Sequence, residues 1–323
     1  MRHPRLVAGA LLGGVALLGA VYLGAAAVAY ESVSRVEPDC DGRYPGYTPA
    51  EWSPPRWATD FDAAPYFVAD YEDVRFASRD PGLELHGWWL PSGAGPDAPV
   101  VIDIHGLGGC VRHPEVLAPA GMLHRLGYGV LLLDLRDHGA STIEDGRMAG
   151  GTEEYRDVMG AIDWLIDRGA VPGRIGALGA SMGAATAIIS GGQDDRIAAV
   201  WADSSYADIE RRIAEELEAR GLPGILAPAS TLVARLISGD DFSSHTVLGE
   251  VANLAGRDLF IVHGELDQST DVSHAHDLAE AARANGVEID RWNVPDAGHV
   301  DAMFLEPEAY EQHLGVFFGS AFD

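Results

Sequence analysis

The stretch Ile175-Gly-Ala-Leu-Gly-Ala-Ser181-Met-Gly-Ala-Ala constrains this chain more than any other. An apolar run ends in Gly179-Ala180-Ser181-Met182-Gly183, a G-x-S-x-G pentapeptide, and small, helix-compatible residues follow at once. A strand that turns this sharply into a helix forces the serine into a strained backbone conformation, and only tiny neighbours at 179 and 183 leave room for it. The hydroxyl then stands clear of the core, and the new helix aims unpaired N–H groups at any negative charge forming beside it. In isolation the same residues also fit a serine N-cap between glycines that permit close packing.

The flanking sequence weighs against that alternative. Residues 100–105, 128–135, 174–178, 197–202 and 258–262 are short, largely apolar runs, each read as a strand, and 287–294 is read as a further strand. Helical patterns over 114–126, 153–167, 273–285 and 307–318 alternate with them. Strands alternating with helices imply a mostly parallel sheet covered on both faces. Residues 71–78 and 83–90 add an antiparallel hairpin turned at Asp80-Pro81-Gly82. One segment breaks the alternation. Residues 206–256 hold an amphipathic pattern (208–220) and a largely apolar one (222–237). An insertion there sits above the carboxyl edge of the sheet, where ligands bind in open α/β folds, so it is read as a small helical cap lining an apolar pocket.

A serine hydroxyl is a poor nucleophile until a base takes its proton, and the base needs a partner that fixes its tautomer. Asp267 follows the strand at 258–262 and His299 the strand at 287–294, so Ser181, Asp267 and His299 converge on one sheet edge. His105-Gly106-Leu107-Gly108-Gly109 follows the strand at 100–105, and its turn can point amides into the same place. The backbone N–H groups of Leu107 and Met182 are the expected oxyanion hole. His105, at the root of that loop, is read as structural, and Asp134-Leu-Arg136-Asp137-His138 as bracing the loops around the site. Asp203 is the rival acid. His274 and His276 with Asp271 are read as an exposed helix start rather than a metal site. No GxGxxG or P-loop is present, so nucleotide binding has no support, and the expectation is no metal and no cofactor.

The formal charge is −27, from 49 acidic residues and 22 basic ones, all arginine. Such a surface argues against nucleic-acid or anionic-membrane binding through the globular part. Residues 6–30 carry no charged side chain and, at about 1.5 Å per residue, exceed a roughly 30 Å hydrocarbon core. Ala27-Val28-Ala29 resembles a signal cleavage site, but the apolar run is longer than the usual ~7–15 residues. A retained single-pass anchor is therefore expected over residues 1–30, with a tether over 31–70 and the catalytic domain, cap included, over 71–323. Arg2 and Arg5 precede the segment and Arg35 and Arg43 follow it, so charge hardly sets the orientation; an extracytoplasmic domain is the expectation. Cys40 and Cys110 would tie the tether to the loop after the third strand if oxidised; two free thiols are the expected state.

HGLGG at 105–109, DLRDHGAS at 134–141, GASMG at 179–183, HGELD at 263–267 and AGH at 297–299 occur in the order and spacing of the α/β-hydrolase superfamily, which the chain resembles from about residue 70 onward. It is most similar to the Bem46-type membrane-associated serine hydrolases and to prolyl-oligopeptidase-like catalytic domains. The resemblance implies an α/β-hydrolase fold with Ser181 as nucleophile, His299 as base and Asp267 as its orienting acid. Two residues depart from the pattern: Cys110 where a polar residue is expected, and Asp137 where glycine is usual. The expected activity is hydrolysis of a small, hydrophobic carboxylic ester through an acyl-enzyme, with the membrane as the other partner. A peptidase on the same fold and a non-catalytic membrane-tethered scaffold are the alternatives.

Overall fold

The computed structural model describes residues 4–40 and 42–323, with side chains from residue 12 onward; Arg2 lies outside the described residues. One sheet runs in the order β1-β2-β4-β3-β5-β6-β7-β8, built from β1 (Glu72–Ala77), β2 (Glu84–Leu90), β3 (Val100–Ile104), β4 (Gly129–Asp134), β5 (Ile175–Ala180), β6 (Ile197–Asp203), β7 (Asp258–Gly264) and β8 (Glu288–Val294). β2 pairs antiparallel with β1 and β4, and every other pairing is parallel. The helices are α1 (Pro4–Ser34), α2 (Pro114–Arg125), α3 (Tyr155–Asp167), α4 (Met182–Gln193), α5 (Ile209–Ala219), α6 (Ala227–Ile237), α7 (Val247–Val251), α8 (Ser273–Ala284), α9 (Ala302–Leu305) and α10 (Pro307–Phe322).

The apolar runs of β3, β4 and β5 are buried along their whole length, as strands covered on both faces must be. One face packs Val158, Ile162 and Leu165 of α3, Ile188 of α4 and Leu278 of α8 into a single core. The other packs Leu117 and Met122 of α2 with Leu314 and Phe318 of α10. The tether joins this second core. Its Trp52, Phe61 and Tyr66 are buried, and the Phe61 ring meets both Tyr66 and Phe304. The helices α7 and α9 were not foreseen, because five or four residues are too few to display a helical period.

The first helix does not stop at residue 30. It continues through Glu31, which pairs with Arg35 and Arg147, and the Ser34 hydroxyl caps the Tyr30 carbonyl. Its last turns are part of the globular unit. Ala29 and Val33 pack with Ile213 and Leu217 of α5 and Leu226 before α6. The valine, leucine and isoleucine side chains contribute about 1.5–3 kcal/mol each when fully buried. Beyond α1, the chain pairs backbone with residues 146–148: Val36 N–H donates to the Gly146 carbonyl and Met148 N–H to that of Ser34.

The expectation of two free thiols is overturned. Cys40 and Cys110 are disulfide-bonded, their Cα atoms 6.4 Å apart, within the range a bridge requires. Cys110 directly follows the glycine-rich turn after β3, so the bond fixes the tether to that turn, which accounts for cysteine at this position. The loop it closes spans 70 residues. Unfolding without reductant should release no titratable thiol, and reducing the bond should lower stability by about 2–4 kcal/mol in denaturant titration. Two thiols in the unreduced, denatured protein would contradict the pairing.

Candidate active site

Ser181 sits between β5 and α4 with φ 55° and ψ −117°, outside the regions open to ordinary residues. The strain is enforced by close approach. A Cβ at Gly179 would collide with the Gly183 backbone, and one at Gly183 with the Ile104 carbonyl of β3. Ser181 N–H donates to the Asp203 carbonyl at 2.8 Å, fastening the turn to β6. The only other non-glycine residues with positive φ among the described ones are Asp137, Ser204 and Val300, all on loops at the same edge of the sheet. Asp137 holds its left-handed conformation by accepting the N–H groups of Glu144, Asp145 and Gly146, which shows why an acid can stand where glycine is usual.

The His299 ring lies between the other two expected residues. Its Nε2 is 2.9 Å from Ser181 Oγ, and its Nδ1 is 2.7 Å from Asp267 Oδ2. The second Asp267 oxygen accepts the N–H groups of Ser269 and Thr270, both at 2.8 Å. Burial alone would raise the Asp267 carboxyl, but the adjacent His263 and His299 rings outweigh it and hold the group well below the usual carboxylate range. The carboxylate therefore stays ionised and holds His299 in the tautomer whose bare Nε2 faces the hydroxyl. His263, which the sequence already sets four residues from Asp267, is fully buried with Nε2 3.4 Å from Asp267 Oδ2 and donating to the Thr270 carbonyl.

Asp203 is placed elsewhere. Its two oxygens accept from the hydroxyls of Ser204 and Tyr310, and it makes no hydrogen bond to His299. Burial pushes its carboxyl up to about 6. His274 is not at an exposed helix start, as expected, but wholly buried; Nδ1 accepts the Ala207 N–H and Nε2 lies 3.1 Å from both Arg211 and Glu215 of α5. It braces the cap.

Gly106 of the glycine-rich turn abuts Ser181: a Cβ there would lie 3.2 Å from the serine Cβ. Leu107 follows, and Met182 opens α4, where helix geometry leaves its N–H without an intrahelical partner. The turn is held from behind. His105 accepts the Leu135 N–H and donates to the Gly106 carbonyl, and His138 accepts the Gly108 N–H. Burial drives both histidines down, His105 to about 3, so neither acts as a charged group near neutrality. Asp134 binds the Val111 and Ala140 N–H groups and His86 Nδ1, and Arg136 binds Asp157 and Asp80 from within the core. These residues brace loops and do not face the serine.

A cavity of about 110 Å³ opens at Ser181. Leu107, Met148, Met182 and Tyr206 form its base, Ile209 and Ile213 of α5 its roof, and Arg212, Glu216 and Arg220 its polar edge. Val33 of α1 forms one wall. Within the cap, then, the amphipathic α5 covers the serine. The apolar α6, which promised from its Leu and Ile content to line the pocket, does not reach this cavity. Val33 was missed because it was read as tether; its signal was the spacing Ala26, Tyr30, Val33 on one helical face.

Residues 120–317 match the sequence profile of the prolyl oligopeptidase family. An uncharacterized Escherichia coli protein, YfhR, is 28% identical over 236 residues, covering 72% of this chain and 74% of that protein. The Pyrococcus furiosus esterase Pf2001 superposes with a TM-score of 0.64 at 26% identity, over 84% of this chain and 100% of that one. An acylaminoacyl peptidase of Pyrococcus horikoshii gives a TM-score of 0.60 at 17% identity, over 78% of this chain and 41% of that one, a likeness of fold. The chain has the α/β-hydrolase fold.

The two acids separate by experiment. Asp267→Asn should cost hydrolytic turnover about 10⁴-fold, whereas Asp203→Asn should cost less than about tenfold. Because the folded Asp203 carboxyl is raised, it contributes stability that is complete below about 3.8 and lost as pH rises to about 6. Asp203→Asn should therefore remove a fall of about 1.4 kcal/mol per pH unit from the unfolding free energy across that window. An unchanged slope would contradict a raised Asp203.

Proposed function

The chain belongs to the prolyl oligopeptidase family, and from that premise we propose that it is a membrane-anchored, Bem46-type serine hydrolase that cleaves hydrophobic carboxylic esters through an acyl-enzyme. The observation that carries this reading is the hydrogen-bonded line from Ser181 through His299 to Asp267, ending at a cavity walled mainly by apolar side chains. Ser181 Oγ attacks the ester carbonyl carbon as His299 Nε2 takes its proton, and Asp267 stabilises the imidazolium. The carbonyl oxygen, now negative, is met by the N–H groups of Leu107 and Met182, each worth roughly 10²–10³ in rate. Collapse expels the alcohol, which takes the proton from His299. Water then attacks the acyl-serine with His299 again as base, releasing the acid and restoring Ser181.

Retention of the first helix is supported by its packing. Cleavage after Ala29 would strip Ala26 and Ala29, both buried, from the cores they help to form. The Cys40–Cys110 disulfide supports an extracytoplasmic catalytic domain, since such bonds persist in oxidising compartments.

Ser181→Ala should lower p-nitrophenyl ester turnover by about 10⁴-fold or more with the fold intact by circular dichroism. Matched ester and aminoacyl-anilide substrates separate the ester reading from a peptidase: higher kcat/KM on the ester supports the first, and the reverse order the second. Full activity in the alanine variant would remove Ser181 from the mechanism.

A further inference from the structure

The cap's second helix and the turn that leads into it leave an apolar face uncovered. Ile225 and Leu236 are each 74% exposed, Ile237 56% and Leu232 50%, a concentration that soluble surfaces seldom carry. This face does not stand alone. The helix α6 lies alongside α1: the Tyr22 hydroxyl donates to the Ile225 carbonyl at 2.5 Å, Ser230 Oγ to the Ala26 carbonyl at 3.2 Å, and Tyr30 meets Ser238 Oγ at 2.7 Å. Those three contacts advance together along both helices, so α6 runs parallel to the last turns of α1.

The position of the contacts sets where a bilayer would sit. Val15, Leu17, Leu18 and Val21 are at least 62% exposed, whereas burial of α1 in the protein begins at Ala26. The roughly 22 residues from Pro4 to Ala25 extend about 33 Å, the thickness of a hydrocarbon core. A membrane filled by that stretch has its domain-side boundary beside Ile225, in the turn that leads into α6. The exposed face of α6 then continues the apolar surface of α1 at the boundary. Arg235, 64% exposed at its side chain and 3.5 Å from Asp241, is long enough to lay its stem on that surface with its charge toward headgroups.

We propose that the exposed face of α6 rests in the bilayer interface beside α1, so that the Ser181 cavity takes acyl-chain esters of membrane lipids directly from the bilayer. The occupant of the face is the lipid itself. Val33, the α1 residue that walls the cavity, lies about 10 Å along the helix from Ala26, so a chain leaving the interface has only two helical turns to travel. Sequence places the apolar helix in the cap; in the structure it packs beside α1, and α5 forms the roof over Ser181. This inference rests on the anchored-esterase reading above and specifies its substrate source.

The test uses full-length protein in phosphatidylcholine nanodiscs containing 5-doxyl lipid. The native cysteines are paired, so Ile225→Cys, Leu236→Cys and, as a distant control on α10, Val316→Cys can each be labelled singly with an environment-sensitive fluorophore. Quenching at 225 and 236 should exceed that at 316 at least threefold; equal quenching at all three overturns the membrane contact. In I225D/L236D, turnover of a soluble butyrate ester should stay within twofold of wild type while turnover of a long-chain ester embedded in the discs falls at least tenfold. A fall in both alike, or in neither, overturns delivery from the bilayer. If the wild type cleaves neither ester, the esterase reading fails instead, and the quenching still decides where α6 lies.

Discussion

The architecture depends on a steric constraint at one turn. Ser181 occupies a backbone conformation that costs on the order of 1–3 kcal/mol, and it persists only because its surroundings leave no alternative. Gly179 and Gly183 admit the backbones of α4 and β3 at distances no side chain would allow, and the Asp203 carbonyl holds the Ser181 amide. The result is a hydroxyl at the edge of a rigid sheet rather than on a mobile loop. The strain is shared with its neighbours. Ser204 donates to Asp203 and accepts from the amide of Val300, both Ser204 and Val300 having positive φ, so the turn after β6 and the loop bearing His299 are locked to one another.

Around that rigid edge the chain spends its disulfide, its buried arginine and its structural histidines on loops. The Cys40–Cys110 bond fixes the tether to the glycine-rich turn, His105 and His138 hold the turn from beneath, and Asp134 anchors its far side. Buried, neutral imidazoles serve here as hydrogen-bond struts, while the one histidine in line with Ser181 is paired with a carboxylate kept ionised. The same residue type thus performs two tasks, and burial and the available partner decide which.

Much of this was legible from residue order. Strands covered on both faces write themselves as apolar runs, and glycine at 179 and 183 has few reasons to bracket a serine in such a run except close approach. The residues at strand ends could be foreseen because parallel strands deliver their carboxyl ends to one edge. What the sequence concealed were contacts between distant segments. The state of Cys40 and Cys110 depends on a tether whose path is irregular and carries no period. Val33 reads as linker until α1 is seen to continue past residue 30. The Leu and Ile of α6 suggest a pocket lining because composition marks a helix as apolar without saying which surface it meets; here one face meets α1 and the other is exposed. His274 looked like an exposed helix start, and only the cap folding over it makes it a buried strut.

The proposed chemistry requires Ser181 to be the activated nucleophile. The most direct measurement is covalent capture: folded protein exposed to a fluorophosphonate, followed by peptide mapping, against the same protein denatured first. One adduct is expected, on Ser181, in the folded sample, absent after denaturation and abolished in His299→Ala. An adduct on another residue, or none on folded protein with its disulfide intact, would contradict it.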